Sequence, residues 1–528
     1  MEWTKGKMDG YRPGDLRRVF LSLPDETLAH DVTELIRVLA GRCDVTVVPQ
    51  NQLPEEYSPE EALITLAFEE GMLEAHFESG RGQKAMQTPL SIDTEGDEQQ
   101  QKRQRRWAYK QTCYRVMRPF FATQTPWGSL TGIRPTKLFR QEMNRYGVEA
   151  AKEMFSRQFD VSGEKIALLE QITAQQAPLL ASIEPNDFDL YIGIPFCQTR
   201  CAYCSFAASA LEKEGKPVKR IQAFVEPYLD ALCTEIENNG RALLTMGNRL
   251  RSVYIGGGTP TALSCAQLER VIETTLRTLG GFGREFTVEA GRPDSIDEEK
   301  LRMLRAMGVT RISINPQTMN DATLRRIGRN HSAADIVAAY ELARKQGFNH
   351  INMDLIVGLE GETADDVRHT LDWMERLKPD SLTIHALALK RASRLHEELL
   401  DQPEAGRRTR QMAEEEQAAQ MQHDSAATAE RMGLYPYYMY RQKYSAGNLE
   451  NTGYARDGGA SVYNIDIMEE QVSILALGAG AISKWVCGDR LERVANPRDI
   501  ATYMQSIQKL TDERIALWQG QHALPIEK

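Results

Sequence analysis

Residues 191–206 read YIGIPFCQTRCAYCSF. The stretch opens on a short apolar run typical of a buried strand. It then places Cys197, Cys201 and Cys204 within eight positions, although the whole chain of 528 residues has only eight cysteines. The spacing is C-x-x-x-C-x-x-C, on the loop that leaves the strand, and this placement favours a chemical role over simple packing.

A strand–helix rhythm begins at this stretch and continues to about residue 390. Its candidate strands are short and rich in β-branched residues, and each but the last is followed by a helical pattern. They read DLYIGI (189–194), SVYIGG (252–257), EFTVEA (285–290), RISIN (311–315), HINMDLIVGL (350–359) and SLTIHAL (381–387). Repeated βα units predict a parallel sheet closed into a barrel or partial barrel, with its chemistry at the carboxyl ends of the strands.

Two of the intervening helices carry a glycine where a helix is expected to stop. They read ALCTEIENNG (231–240) and DEEKLRMLRAMG (297–308). Glycine is the usual residue just past a helix end, so both helices are predicted to end there.

The N-terminal part of the chain has a different texture. ALITLAFEEGMLEAHFES (62–79) alternates as a hairpin does, and HDVTELIRVLAG (30–41) is helical, so residues 1–185 are predicted to form an α+β domain. A basic run with interleaved Trp107 and Tyr109 spans 102–118. It indicates either contact with a phosphate or carboxylate partner or a solvated helix face, and charge runs favour the second.

Length, charge and cysteine usage bound the possible functions. A chain of 528 residues exceeds one core, and we expect three regions, over 1–185, 186–390 and 391–528. We find no leader and no membrane-spanning stretch in the sequence, which predicts a cytoplasmic protein. Disulfides are rare in that compartment, so clustered cysteines favour a metal or catalytic role. A net charge of −10 argues against broad nucleic-acid binding.

Three closely spaced thiolates without a fourth ligand fit few kinds of metal site. A structural zinc site wants four protein ligands, and neither a histidine nor a fourth cysteine lies nearby. Thiolates at this density favour soft metals and iron–sulfur clusters. Zinc and chance grouping are the weaker alternatives.

The motif C-x-x-x-C-x-aromatic-C, with Tyr203 at the aromatic position, resembles the signature of the radical S-adenosylmethionine (SAM) enzymes. The resemblance implies a partial (β/α)6 TIM-like barrel with an N-terminal α+β domain and a C-terminal α/β extension. It implies that the three cysteines hold a [4Fe–4S] cluster whose unique iron chelates SAM. One electron then cleaves SAM to a 5′-deoxyadenosyl radical that abstracts a substrate hydrogen.

Further matches to this family fall at later strand ends. By likeness, the glycine motif approaches the methionine end of SAM, Glu289 and Arg329 contact its amino-acid part, and Gln317 and Asp354 hold the ribose hydroxyls. The full set of expected cofactor contacts is Tyr191, Gly256, Gly257, Gly258, Thr259, Glu289, Gln317, Arg329 and Asp354.

Within the superfamily, GGGTPT (256–261), RISINPQ (311–317), IGRNH (327–331) and INMDLIVGL (351–359) resemble the oxygen-independent coproporphyrinogen III dehydrogenases. YIGIPFC (191–197), HALALKRAS (385–393) and the separate N-terminal domain are most similar to the HemZ-type subgroup. The resemblance implies oxidative decarboxylation of two propionates of coproporphyrinogen III to vinyls, giving protoporphyrinogen IX. It departs at Phe206, where the best-characterised dehydrogenases carry a further cysteine.

Basic and aromatic residues after the sixth strand suit a flat, polyanionic tetrapyrrole. Arginine grips carboxylates in a bidentate manner, and tyrosine faces can cover a macrocycle. The C-terminal region is therefore expected to cover the substrate, with contacts from Lys390, Arg391, Arg394, Arg441 and Lys443. A tyrosine-rich strand with solvated basic neighbours is the alternative.

Three other functions stay open at this point. Some members of the branch bind and deliver haem, a radical methyltransferase could degrade haem, and a radical SAM enzyme could modify RNA through the basic N-terminal helix. The acidic net charge makes RNA the weakest of the three. For any radical SAM reaction, an electron donor such as flavodoxin or ferredoxin is the expected protein partner, and neither a membrane nor a nucleic acid is.

Overall fold

A computed structural model describes most of the chain. The described residues are 10–41, 43–54, 56–90, 98–122, 125–132, 134–204, 206, 208–388, 404–442, 445–488 and 490–520, and of 404–416 and 446 the backbone alone is described. Among the helices of these residues, none has the length and apolarity needed to cross a membrane.

The chain divides into two compact units. The first comprises residues 1–170 and 402–416, and the second comprises 171–401 and 417–528. The sequence instead predicts domain boundaries at residues 185 and 390. The C-terminal strands are part of the second unit because they hydrogen-bond to the same sheet as the barrel strands.

The first unit is built on a 5-stranded sheet of order β2-β1-β3-β4-β5. The predicted hairpin is present as β3 and β4, paired from Ala62↔Ser79 to Glu69↔Met72. Buried side chains from the sheet, from α1 and from the second half of α2 form its core. The elements are β1 Arg18–Ser22, α1 Ala29–Ala40, β2 Asp44–Val47, β3 Glu61–Glu69, β4 Met72–Ser79, β5 Gly82–Pro89, α2 Glu98–Met117, α3 Pro135–Tyr146, α4 Val148–Arg157 and α5 Gly163–Leu180, the last of which runs on into the second unit.

The basic run of 102–118 lies on helix α2. Two of its charged side chains pair with carboxylates of the same unit: Arg106 lies 3.0 Å from Asp31, and Arg115 lies 3.0 Å from Asp160. Arg103 stacks over the ring of Trp107 at 5.1 Å. These contacts favour a helix face engaged with its own domain over a nucleic-acid surface.

The second unit is built on an 11-stranded sheet, and its six predicted strands are all present. They run parallel to one another in chain order, as a partial barrel requires. The elements are β6 Asp187–Ile194, β7 Phe196–Cys197, β8 Ser209–Ala210, β9 Glu212–Lys213, β10 Lys216–Pro217, α6 Lys219–Gln222, α7 Val225–Thr245, β11 Arg249–Gly257, α8 Cys265–Leu279, β12 Glu285–Glu289, α9 Glu298–Ala306, β13 Arg311–Ser313, α10 Asp321–Arg326, α11 Ala333–Lys345, β14 Ile351–Val357, α12 Ala364–Leu377, β15 Ser381–Ala386, α13 Glu404–Arg431, β16 Tyr435–Arg441, β17 Glu450–Ala455, α14 Val462–Glu469, β18 Ser473–Leu477, β19 Ile482–Cys487, β20 Arg490–Ala495, α15 Ile500–Gln505 and α16 Ile507–Trp518.

Strand alternation separates the core of the barrel wall from its interior. In β6, Leu190 and Ile192 pack in the main hydrophobic core, whereas the intervening Asp189 and Tyr191 project to the other face. That interior face is polar in its lower part: Ser252 donates to Asp189 at 2.6 Å. The barrel therefore presents functional groups along the inner face of each strand.

The C-terminal strands extend the sheet at both of its edges. β17 pairs antiparallel with β15 at one edge, and β18 pairs parallel with β6 at the other. Helix α14 connects β17 to β18. Its N-terminus is held by Glu285, whose carboxylate accepts from the hydroxyl of Ser461 at 2.7 Å and from the backbone NH of Val462 at 3.1 Å.

The predicted helix end at Gly240 is wrong. Helix α7 continues through it to Thr245. A Cβ at Gly240 would lie 2.8 Å from Thr278 Cγ2, so the glycine allows helix α8 to approach closely rather than ending α7. The predicted helix end near Gly308 is confirmed, because α9 ends at Ala306 and Gly308 follows with φ +85°.

Candidate active site at the carboxyl ends of the strands

A cavity of about 650 Å³ lies at the carboxyl ends of the barrel strands. Residues that the sequence singled out for the cluster and for SAM line it together: Tyr191, Cys197, Cys201, Cys204, Gly257, Gly258, Thr259, Glu289, Gln317, Arg329 and Asp354. The remaining one, Gly256, lies beside Glu289, whose Oε1 would be 3.0 Å from a Cβ there.

The cysteine loop is anchored by backbone hydrogen bonds and leaves its sulfurs available. Ala202 NH donates to Ile327 O at 3.0 Å, and all three cysteines are free thiols. Two donors address the sulfurs: Thr259 Oγ1 lies 3.5 Å from Cys197 Sγ, and Arg292 Nη1 lies 3.6 Å from Cys201 Sγ. Burial raises the pKa of Cys197 to about 11, so its thiolate needs a bound positive charge such as iron.

Glycine is required in this motif because its backbone passes close to the cysteine loop. Gly257 has φ +112°, and a Cβ on it would lie 2.9 Å from Ile194 O. A Cβ on Gly258 would lie 2.5 Å from Phe196 O and 3.0 Å from Cys197 Sγ. Only glycine fits both positions, which keeps the backbone against the cluster ligands and open toward the cavity.

Glu289 ends β12 with its carboxyl group in the cavity. Tyr254 OH donates to its Oε1 at 2.6 Å. Burial raises the pKa of Glu289 to about 7; the hydrogen bond from Tyr254 opposes this shift and the nearby Asp354 adds to it. Glu289 is thus able to receive a cation, such as an ammonium group, at neutral pH.

Gln317 and Asp354 lie together, as the resemblance implies. Gln317 NH donates to Asp354 O at 2.9 Å, and Asn352 Nδ2 donates to Asp354 Oδ1 at 2.7 Å. Gln317 has φ +66°, which is unusual for a residue with a side chain. The Gln317 side-chain oxygen is buried and has no hydrogen-bond partner among the described residues, so this strained corner offers a polar atom to a ligand.

Arg329 is almost fully buried at the edge of the same cavity. Its Nη2 donates to Tyr203 OH at 2.9 Å and its Nη1 donates to Gly291 O at 3.2 Å. Its Nε is buried without a hydrogen-bond partner in the described part of the chain. The guanidinium therefore links the aromatic residue of the cysteine motif to the SAM side of the cavity.

Several cavity residues were missed by sequence reasoning. His385 lines the cavity, with Nε2 3.7 Å from Asp354 Oδ2 and Nδ1 3.3 Å from Tyr440 OH. Tyr254 and Tyr463 stack at 4.5 Å beside Tyr191. Strand alternation could have indicated Tyr254, which shares a strand face with the predicted Gly256. His385 lies on β15, which holds no predicted site residue, and Tyr463 lies on a helix, so neither gave such a signal.

Most of the predicted substrate contacts are not among the described residues. Lys390, Arg391, Arg394 and Lys443 lie outside the described residues. Arg441 is buried and pairs with Glu450 across β16 and β17. Its sequence neighbours Tyr440 and Gln442 are among the described residues that line the cavity, and Arg441 is not. The reason is that alternate side chains of a strand face opposite sides. The described part of the chain gives Arg441 no place in the substrate site.

The residues present fit the cofactors that the resemblance implies. Three free thiols share one cavity with two hydrogen-bond donors to sulfur. This is the arrangement that a polynuclear cluster with one open iron requires. Beside it, the unpartnered polar atoms of Gln317 and Arg329 and the acidic Glu289 suit the polar ends of SAM.

Comparisons with known proteins agree with this site. Residues 191–374 match the model of the radical SAM superfamily. The chain is 39% identical over 396 residues to the oxygen-independent coproporphyrinogen-III oxidase-like protein HemZ of Bacillus subtilis, covering 74% of this chain and 76% of that protein. It is 30% identical over 302 residues to the heme chaperone HemW of the same organism, covering 55% and 69%. The solved coproporphyrinogen III oxidase HemN of Escherichia coli is similar at 24% identity and a TM-score of 0.47, covering 63% of this chain and 72% of that one.

Proposed function

Because this chain belongs to the HemZ-like family of radical SAM proteins, we propose that it oxidatively decarboxylates two propionates of coproporphyrinogen III to vinyls. The product of the proposed reaction is protoporphyrinogen IX. Proteins of this superfamily use a [4Fe–4S] cluster and SAM. The observation that carries the proposal is the shared cavity, in which the three cysteines and the SAM residues lie together with an aromatic wall.

When bound, the cluster and SAM would supply a carbon radical that removes one hydrogen, here from the β-carbon of a propionate. Each propionate also gives up carbon dioxide and one electron, which passes to an acceptor, as it becomes a vinyl group. The chain's own residues place the reactants. Cys197, Cys201 and Cys204 hold the cluster, and Glu289 and Arg329 orient the amino-acid end of SAM. Gln317 and Asp354 hold the ribose. Fixed geometry and exclusion of water matter most in such a reaction, because a radical out of position reacts with whatever it meets.

The remainder of the cavity suits a flat ligand with acidic arms. Tyr438 and Tyr440 line it from β16, and Asn451 lines it from β17. Lys484 adds a cation from β19, held at 3.1 Å from Glu470. Tyrosine rings give apolar area with a polar tip, and the lysine can meet a propionate.

We place this reaction in the cytoplasm, with flavodoxin or ferredoxin as the electron donor and a tetrapyrrole as the ligand. Neither a membrane nor a nucleic acid is part of the proposal. The net charge of −10 supports the second exclusion.

The test is an anaerobic incubation of the cluster-loaded protein with SAM, a strong reductant and coproporphyrinogen III. Mass spectrometry then follows 5′-deoxyadenosine and the tetrapyrrole. We expect deoxyadenosine together with stepwise loss of two carboxyl groups. Deoxyadenosine formation with unchanged coproporphyrinogen would reject the substrate while leaving the radical SAM assignment in place.

A second candidate is haem binding and delivery. It is supported by the relative named heme chaperone HemW and by Phe206, which replaces the further cysteine of the best-characterised dehydrogenases. Stoichiometric haem binding and transfer to an acceptor apoprotein, without decarboxylation, would favour this function over the first.

A further inference from the structure

Arg292 is a buried cation beside the cysteine loop that the SAM site does not use. It follows β12 in the sequence VEAGRPDS, and only 3% of its surface is exposed. Its Nη1 lies 3.6 Å from Cys201 Sγ and donates to Thr199 O at 3.1 Å. The Nη1 atom thus contacts both the loop backbone and Cys201, one of the predicted cluster ligands.

The other nitrogens of Arg292 are fixed by a carboxylate. Nε donates to Asp294 Oδ1 at 2.9 Å and Nη2 donates to Asp294 Oδ2 at 2.7 Å, a bidentate pair that sets the plane of the guanidinium. Behind it, the buried His331 has Nδ1 3.7 Å from Asp294 Oδ1. Arg292 is therefore aimed at Cys201, because the pair leaves its third nitrogen facing the loop.

We propose that Arg292 is a positioning residue that raises the reduction potential of the cluster through its hydrogen bond and charge at Cys201. Hydrogen bonds to ligand sulfurs and nearby positive charge favour the reduced cluster, which carries one more negative charge. The contact falls on one of three ligands, so it acts at one end of the cluster.

This inference depends on the cluster and not on the tetrapyrrole. It can be tested without substrate and without SAM turnover. A failed decarboxylation assay would leave it standing, and its own failure would leave the proposed reaction standing.

The test compares the full-length, cluster-loaded protein with Arg292→Met and Arg292→Lys in an anaerobic potentiometric titration, with the electron paramagnetic resonance signal of the reduced cluster as readout. Iron and sulfide are measured per chain so that only loaded protein is counted. For Arg292→Met we expect the ratio of reduced to oxidised cluster at a fixed potential to fall about tenfold, which is 59 mV for one electron. For Arg292→Lys we expect a smaller fall, because lysine keeps the charge but cannot hold both Asp294 and Cys201.

Arg344→Met is the matched control. Arg344 pairs with Asp380 at 2.7 Å in the same unit but lies outside the cavity lining among the described residues. We expect its loss to leave the potential unchanged. An unchanged potential in Arg292→Met, or an equal shift in Arg344→Met, would overturn the proposal. A full restoration of the potential in Arg292→Lys would overturn the part assigned to the hydrogen bond.

Discussion

Cys197 is one of the three predicted cluster ligands and has close neighbours around its sulfur. Its sulfur is met by Thr259 Oγ1 at 3.5 Å, and Gly258 can take no Cβ because that atom would lie 3.0 Å away. We expect Cys197→Ala to abolish the brown colour of the reconstituted protein and all SAM cleavage, since a cluster held by two thiolates is not retained. Iron analysis and deoxyadenosine formation measure this.

Cys233→Ala is the control for that substitution, because Cys233 is a buried cysteine of helix α7 away from the cavity. It should keep both the cluster and SAM cleavage. Loss of iron from both variants alike would mean that the protein tolerates no cysteine change, and would remove the support for Cys197 as a ligand.

Glu289 predicts a pH dependence of SAM binding. Its pKa is raised to about 7, chiefly by burial, so it is largely protonated at pH 6 and largely ionised at pH 7.5. Only the ionised form attracts the ammonium of SAM, so affinity should rise several-fold over this interval. Equilibrium dialysis under anaerobic conditions measures it. Glu289→Gln should bind weakly with a flat profile, and a wild-type profile that is equally flat would contradict the assigned contact.

Single residues were predictable where a motif fixes them and not where three-dimensional packing does. The three cysteines lie within eight positions and the glycines form one run, so spacing was informative. Arg292 and His385 act through groups distant in sequence, 91 residues for the Arg292–Cys201 contact and 55 for His385–Tyr440. Arg441 does not line the described cavity, and its basic character alone does not say which side of a strand it faces.

At the scale of elements, helix α14 is held inside the second unit by a buried ion pair. Arg251 Nε lies 2.7 Å from Asp466 Oδ2, and both side chains are inaccessible to solvent. We expect Arg251→Met to lower the free energy of unfolding by about 3–5 kcal/mol at pH 8, because it leaves Asp466 buried without its counter-ion. The loss should be smaller at pH 5, where Asp466 takes up a proton: removing the arginine raises its folded pKa further, so the variant loses stability as pH rises.

Chemical denaturation of the apoprotein measures this change, and Arg270→Met gives the comparison. Arg270 pairs with Glu226 at 3.5 Å on the surface, where such pairs contribute about 0–1 kcal/mol. Equal losses in the two variants would mean that the buried pair does not hold α14.

The barrel strands were predictable as elements because each is a short β-branched run bounded by turns and helices. β18 and helix α14 were not, because nothing local marks the pairing of β18. It lies beside β6, which is nearly three hundred residues earlier in the chain, as the register Leu475↔Leu190 shows. Gly240 was misread because a glycine selected for helix contact looks in sequence like one that ends a helix.

At the scale of the whole molecule, each unit has its own hydrophobic core. SAM should therefore protect the second unit alone against hydrogen exchange. With SAM at a hundred times its Kd, peptides from 187–386 should exchange up to about a hundredfold more slowly, corresponding to about 2.7 kcal/mol, while peptides from 18–89 should be unchanged. Equal protection in 18–89 would contradict independent stability of the units.

The buried carboxylate of Glu235 constrains when the second unit can finish folding during synthesis. Tyr503 OH donates to it at 2.6 Å from 268 residues further along the chain, and Arg514 lies 2.9 Å from it. A ribosome adds about 5–20 residues per second, so helix α7 waits roughly 13–54 s for Tyr503 to be synthesised. Until then Glu235 lacks these hydrogen-bond partners. The second unit therefore reaches its final form only after helices α15 and α16 have left the exit tunnel.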